Sequence, residues 1–161
     1  IYTLSLHDAL PIYQPHICSR CRSLADSDPC HICTDPKRNA EQLCLVSEWD
    51  SLMVMEEAGV YQGRYFILGG LLSPLDGVDA RNLEISLLEN LLRQGEVREL
   101  VLALGSTMEA EATSSYVHAL LGRDFPGISV TRLAQGIPLG TEIKYVDRET
   151  LRQSLKYRQT L

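Results

Sequence analysis

The sequence predicts an α/β fold: a parallel sheet with helices on both faces, preceded by a small four-cysteine zinc module. Three observations carry this. Four of the five cysteines fall in one stretch, CSRCRSLADSDPCHIC, as two CxxC pairs. Short apolar runs recur at LCLVS, RYFIL, ELVLAL and ISVTRLA. Between them lie segments with helical spacing, and strands alternating with helices read as a parallel sheet covered on both sides.

Size and charge bound what such a chain can do. At 161 residues and 45% apolar, it has material for one ordinary domain plus a small appendage. Fifteen basic against 21 acidic residues give a net charge of −6. An acidic chain is poorly suited to charge-driven binding of nucleic acid unless basic side chains are gathered locally. No apolar run is long enough for a membrane span, and the first residues lack the basic start and apolar stretch of a secretory signal. The expected location is the cytoplasm, where structural disulfides are uncommon.

The elements follow in order. Residues 1–16 are expected to be foreign to the fold or disordered. Cys18, Cys21, Cys30 and Cys33 have the spacing C-x2-C-x8-C-x2-C. Two such knuckles can turn four thiolates toward one tetrahedral centre, which suits Zn2+. The polar flanks cannot build a core. Metal binding would supply the folding free energy, about 10–16 kcal/mol in isolated zinc-finger peptides. The alternatives are two disulfides, opposed by the compartment and the odd fifth cysteine, and a redox CxxC, which would normally sit near a βαβ pattern. His16 and His31 lie close by, but four cysteines already complete the set. Cys44 opens an apolar run and reads as a small buried residue.

TDPKRNAEQ reads as a connector, which ends the zinc module (17–40). Residues 43–47 are the first strand. Residues 48–58 have Leu52, Met55 and Ala58 at helical spacing, and Gly59 stops them. Strand 64–68 follows, then the loop GGLLSPLDG. Residues 79–94 form an amphipathic helix through Leu83, Leu87, Leu88, Leu91 and Leu92, ended by Gly95. Strand 99–104, helix 108–121 and strand 128–134 follow. The helix offers Ala112, Val117, Leu120 and Leu121 for packing. The loop QGIPLGTEI and a polar helix at 148–158 close the chain. The α/β domain is taken as 41–140 and the C-terminal loop and helix as 141–161.

In such sheets ligands gather at the carboxyl ends of the strands. Glu109 and Glu111 leave the third strand as an E-x-E pair that can bind Mg2+. They equally complement the dipole of a helix's first turn. Glu48, after the first strand, has the same ambiguity. His118 sits inside a helix as an ordinary surface or packing residue. Arg20, Arg22, Lys37 and Arg38 make the cysteine region locally basic and could meet phosphates, or simply solvate a small module. No phosphate-binding glycine loop or nucleophile–base arrangement is apparent.

The order of pieces, the four-cysteine knuckle, then LCLVSEWDSLMVME, GRYFILGGLLSPLDG, LVLALGSTMEAEAT and TRLAQGIPLGTEIKYVD, resembles the RecR family of bacterial recombinational DNA-repair proteins over about residues 17–161. LSPLDG (72–77) and GIPLG (136–140) are the most specific parts. The resemblance implies a Toprim-type α/β domain and zinc ligands at the four cysteines. It places an acidic Toprim pair at Glu109 and Glu111, and a C-terminal loop at Gly136, Pro138 and Gly140 followed by Glu142 and Asp147. It implies a non-catalytic protein that binds DNA as a dimeric or tetrameric clamp and works with RecO and RecF in recombinase loading.

The departures are specific. Ser47 stands where such proteins usually carry glutamate, with Glu48 one place later and so turned to the other side of the strand. Gly105, Ser106 and Thr107 replace an Asn-Pro-Thr, Gln135 a histidine, and Lys144 an acidic residue. The helix-hairpin-helix region that begins such chains has no match in IYTLSLHDALPI. The alternative function is a magnesium-dependent Toprim nuclease or primase-like enzyme using Glu109 and Glu111.

Overall fold

Side-chain alternation along three short strands decides which way every element must face. The computed structural model describes residues 15–160. Of the segment 1–16 expected to be foreign or disordered, residues 1–14 lie outside the described part, while His16 belongs to a short strand and pairs with Ala25.

The chain begins with β1 (His16–Ile17), paired antiparallel with β2 (Leu24–Ala25), and a single helical turn, α1 (His31–Thr34). There follow β3 (Asn39–Val46), α2 (Trp49–Ala58), β4 (Gly63–Ile67), α3 (Ile85–Arg93), β5 (Glu99–Ala103), α4 (Met108–Asp124), β6 (Ser129–Arg132) and α5 (Arg148–Lys156). The sheet order is β4-β3-β5-β6, and every pairing is parallel.

In a strand, successive side chains point to opposite faces. Leu43, Leu45, Phe66, Leu68, Leu100 and Leu102 go to one face. There they meet Leu88 and Leu92 of α3 and Val117, Leu120 and Leu121 of α4. Cys44, Val46, Tyr65 and Ile67 go to the other. That face is closed by Leu52 of α2 and by the zinc module itself, through Cys18, Cys21, Ala25, Cys30, Ile32 and Cys33. The small module is thus part of the second core. The amide of Ile67 donates to the carbonyl of Cys21 at 2.9 Å.

Caps set the helix ends. Gly59 takes φ +65, left-handed, and donates its amide to Glu56, so α2 stops where glycine bears that conformation without strain. Thr107 accepts from the amide of Ala110, and Asp147 from that of Thr150, opening α4 and α5.

Three boundaries differ from the sequence reading by three residues or more. The strand predicted at 43–47 reaches back to Asn39, through residues that extend the sheet while staying partly exposed. The helix predicted from residue 79 starts at Ile85. Residues 80–82 instead make a 3-10 turn closed by a reciprocal cap, in which Asp79 accepts from Arg81 and Asn82 accepts from Asp79. Helix α4 runs on to Asp124, and Ala112, expected to pack, is exposed.

Candidate metal centre and acidic edge

Backbone geometry brings the two knuckles together. In the first, the amide of Arg22 donates to the carbonyl of Cys18 at 2.9 Å, and the amide of Cys18 donates to the carbonyl of Ser23 at 2.8 Å. Arg22 takes φ +66, the one left-handed non-glycine among the described residues. The second knuckle runs into α1, and the amide of Cys30 points at the sulfur of Cys18, 3.3 Å away. Asp28 in the intervening turn accepts from the amide of Ser19 at 2.7 Å, and this bond holds its carboxyl below the ordinary value.

The four sulfurs lie within 4.8 Å of one another, with Cys18–Cys33 at 3.8 Å and Cys21–Cys30 at 3.5 Å. Four thiolates at the usual Zn–S distance around one ion stand about 3.8 Å apart, so the donor set fits Zn2+. All four side chains are buried. Without a cation they cannot all ionise. Its hydrogen bonds to Cys30 and Cys33, together with burial, push the Cys21 thiol far up, while the bonds from Cys21 and Cys33 hold Cys30 far down. A divalent ion resolves that conflict by neutralising the whole set. The zinc here is structural. Cys44 lies outside the set, fully buried against the second core, its thiol pushed up to about 12 by burial.

The four basic residues near the knuckles divide into two pairs. Arg22 forks onto Glu84 through Nε and a terminal nitrogen at 3.1 and 3.0 Å. Arg38 forks onto Glu56 at 2.9 and 2.5 Å and also donates to the carbonyl of Gly63. Arg20 and Lys37 are exposed and have no ion-pair partner among the described residues. Glu84 and Glu56 lie 62 and 18 residues from their partners, and no local pattern in the sequence points to either pairing.

At the sheet's carboxyl edge, Glu109 and Glu111 occupy the first turn of α4. Residues two apart on a helix do not share a side. Glu111 is taken by Arg132 at 2.9 Å and by Gln135 at 3.3 Å, while Glu109 is exposed. Glu48 precedes α2 and is exposed. Ser47 offers its backbone carbonyl to the amides of Gly69 and Gly70, both at 2.9 Å. Among the described residues, the one group of three or more metal-ligating side chains within reach of a single ion is the four-cysteine cluster.

The two sequence-specific loops are placed differently. Ser73, in LSPLDG, closes a turn by exchanging backbone hydrogen bonds with Val78 and donating its hydroxyl to Asp76. The loop's foot is held by Thr113 of α4, whose oxygen accepts from the amide of Leu72 at 2.9 Å. GIPLG is largely exposed, with a turn from Pro138 to Thr141. Beyond it, Glu142 pairs with Lys144 at 2.7 Å. His118 lines an open cleft between α4 and β6 with Glu111 and Arg132.

A four-cysteine zinc finger packed onto the face of a Toprim sheet defines the class. Residues 41–134 match the Toprim domain family, and residues 16–35 match the four-cysteine zinc finger domain of RecR. The chain belongs to the RecR family: residues 136–159 also match the RecR C-terminal domain. It is 60% identical over 145 residues to Recombination protein RecR of Maridesulfovibrio salexigens, covering 90% of this chain and 72% of the relative. For the protein of that name from Nitratidesulfovibrio vulgaris the identity is 59% over 146 residues, 91% and 73% of the two chains. For that from Alcanivorax borkumensis it is 44% over 155 residues, 96% and 76%. The family places the chain in recombination and DNA repair. Among the described residues no helix is long and apolar enough to cross a membrane.

Proposed function

We propose that this chain acts as a non-catalytic DNA clamp component, assembling as a dimer or tetramer and working with RecO and RecF to load a recombinase. The observation that carries the non-catalytic part is the disposition of the acidic pair. Glu109 and Glu111 diverge on α4, and Glu111 already spends its charge on Arg132. A magnesium site would need convergent carboxylates with water-filled positions between them. Zn2+ held by Cys18, Cys21, Cys30 and Cys33 would have its four positions filled by sulfur and none left for substrate, as in structural rather than catalytic zinc sites.

For DNA contact, Arg20 and Lys37, exposed and without an ion-pair partner among the described residues, are better placed than Arg22 and Arg38, whose guanidinium groups are committed inside the chain. Fluorescence anisotropy with labelled duplex across a salt series tests this. Binding should weaken as salt rises, and removing either Arg20 or Lys37 should lower the salt slope by about one. Binding that ignores salt would end the phosphate-contact reading. The competing reading, a magnesium-dependent nuclease or primase-like enzyme, requires cleavage or nucleotide transfer that Glu111→Gln abolishes. The clamp reading requires DNA to remain intact in the presence of Mg2+.

A further inference from the structure

Arg22 follows Cys21 directly and takes φ +66, a conformation that an ordinary side chain resists and that glycine or asparagine usually fills. The first knuckle imposes it. The amide of Arg22 donates back to Cys18, and the next carbonyl, that of Ser23, accepts from the amide of Cys18. Strain of this kind persists only where the surroundings over-determine it, and it points to a use.

The use is direction. Held this way, the guanidinium of Arg22 places two donors on one carboxylate oxygen of Glu84, at 3.1 and 3.0 Å. Among the described residues this is the one ion pair that ties the segment Cys18–Cys33 to the rest of the chain.

Glu84 is where several parts of the first face meet. It stands immediately before α3, and its carbonyl accepts from the amide of Leu88 in that helix at 3.0 Å. Its own amide donates to the carbonyl of Leu68, just past the end of β4, at 2.9 Å. Its side chain flanks Gly69, where an added Cβ would stand 3.6 Å from the Cγ of Glu84. Gly69 and Gly70 donate to the carbonyl of Ser47 and lead into LSPLDG. One carboxylate therefore sits at the head of α3, the end of β4 and the root of the loop.

Zinc held by the four cysteines keeps the knuckle shut, and a shut knuckle keeps Arg22 left-handed. When the knuckle opens, Arg22 relaxes to an ordinary conformation and its guanidinium leaves Glu84. We propose that Arg22 and Glu84 form a zinc-dependent latch: bound metal locks the head of α3 and the root of the LSPLDG loop, and loss of metal releases them. The latch stands on the strained turn and the contacts of Glu84 and does not rest on the clamp reading. Such coupling is reciprocal. If zinc sets the latch, the latch must add to zinc affinity, although Glu84 is not a ligand.

Zinc affinity of the intact chain, read by competition with a chromophoric chelator, tests this. The two side chains are 27% and 33% exposed, so Glu84→Gln should weaken zinc binding by about threefold to fivefold, the scale of a partly exposed ion pair. In an Arg22→Gln background the same change should have no further effect. Glu89→Gln removes an equal charge from α3 and should leave zinc binding unchanged. Hydrogen exchange gives a second reading. Stripping zinc from the unmodified chain should open the amides of Gly69, Gly70 and Leu88, while Val117, at the centre of the first core, stays protected. In Glu84→Gln those three amides should exchange faster with zinc still bound. Unchanged zinc affinity in Glu84→Gln, equal weakening by Glu89→Gln, or additive effects in the double variant would each overturn the proposal. So would Gly69, Gly70 and Leu88 staying protected while the knuckles open. Val117 opening to the same extent as those three would also overturn it, since the chain would then be unfolding as a whole.

Discussion

Arg38 and Glu56 make a clear test of how the second face of the sheet is held. Their side chains are only 13% and 23% exposed, and they meet through two hydrogen bonds at 2.9 and 2.5 Å. Arg38 also donates to the carbonyl of Gly63, and its guanidinium lies 6.0 Å from the ring of Tyr65. The pair therefore ties the start of β3 to α2 and β4 across the module. Breaking a fully buried pair costs about 3–5 kcal/mol because one charge is left uncompensated, whereas exposed pairs are worth about 0–1. With partial solvent access, Arg38→Ala or Glu56→Ala alone should cost about 2 kcal/mol. For a chain of this size that is a fall in melting temperature of roughly 4–8 °C. The double variant should cost less than the sum, with a coupling of about 1 kcal/mol. Replacing both by Met and Leu should recover most of the loss, since an apolar pair of similar volume needs no desolvation. Thermal melts of the four variants against the unmodified chain decide it. Single variants that each cost under about 0.5 kcal/mol, or strict additivity, would refute the reasoning.

Three further outcomes follow from the same structure. Burial opposes the charge on Glu56, but the bonds and charge of Arg38 outweigh it and lower its pKa below the ordinary 4.5. A lowered carboxylate stabilises the fold above its unfolded value, so this contribution should fade as pH falls below about 4.5 and be absent in Glu56→Gln, as urea titrations at stepped pH would show. Thr113 is fully buried, accepts from Leu72 and donates to the carbonyl of Glu109. Thr113→Val should therefore cost about 1–3 kcal/mol in urea unfolding by stranding the Leu72 amide. Arg22→Ala should be about 1 kcal/mol less stable than Arg22→Gly, because both lose Glu84 but only alanine must strain to hold φ +66.

The parts of this fold legible in the sequence are those where one residue's chemistry decides. Apolar runs at 43–46, 65–68 and 100–104 mark strands with two buried faces, and the cysteine spacing marks the metal centre. Asn39–Gln42 reads as a connector because its ladder is built from backbone groups, which leave no apolar trace. Residues 80–82 run straight into the leucine periodicity that follows them, so the reciprocal Asp79–Asn82 cap is hidden inside an apparently continuous helix. The acidic pair is visible as E-x-E, but the capture of Glu111 by Arg132 depends on β6 lying beside α4. The roles of Arg22 and Arg38 depend on partners far along the chain. Most of all, the module looks like an appendage in the sequence, because the contact of Cys21 with Ile67 joins residues with no sequence proximity.

That contact makes the zinc cluster and the sheet one core, so removing the metal must be felt beyond the knuckles. Amide hydrogen exchange on the intact chain, with zinc bound and after stripping by a chelator, reads this directly at Ile67 and along β4. Loss of protection at Ile67, Tyr65 and Cys44 together with the cysteine knuckles is the expected result. Knuckles that open while β4 stays as protected as before would show two independent units and contradict it.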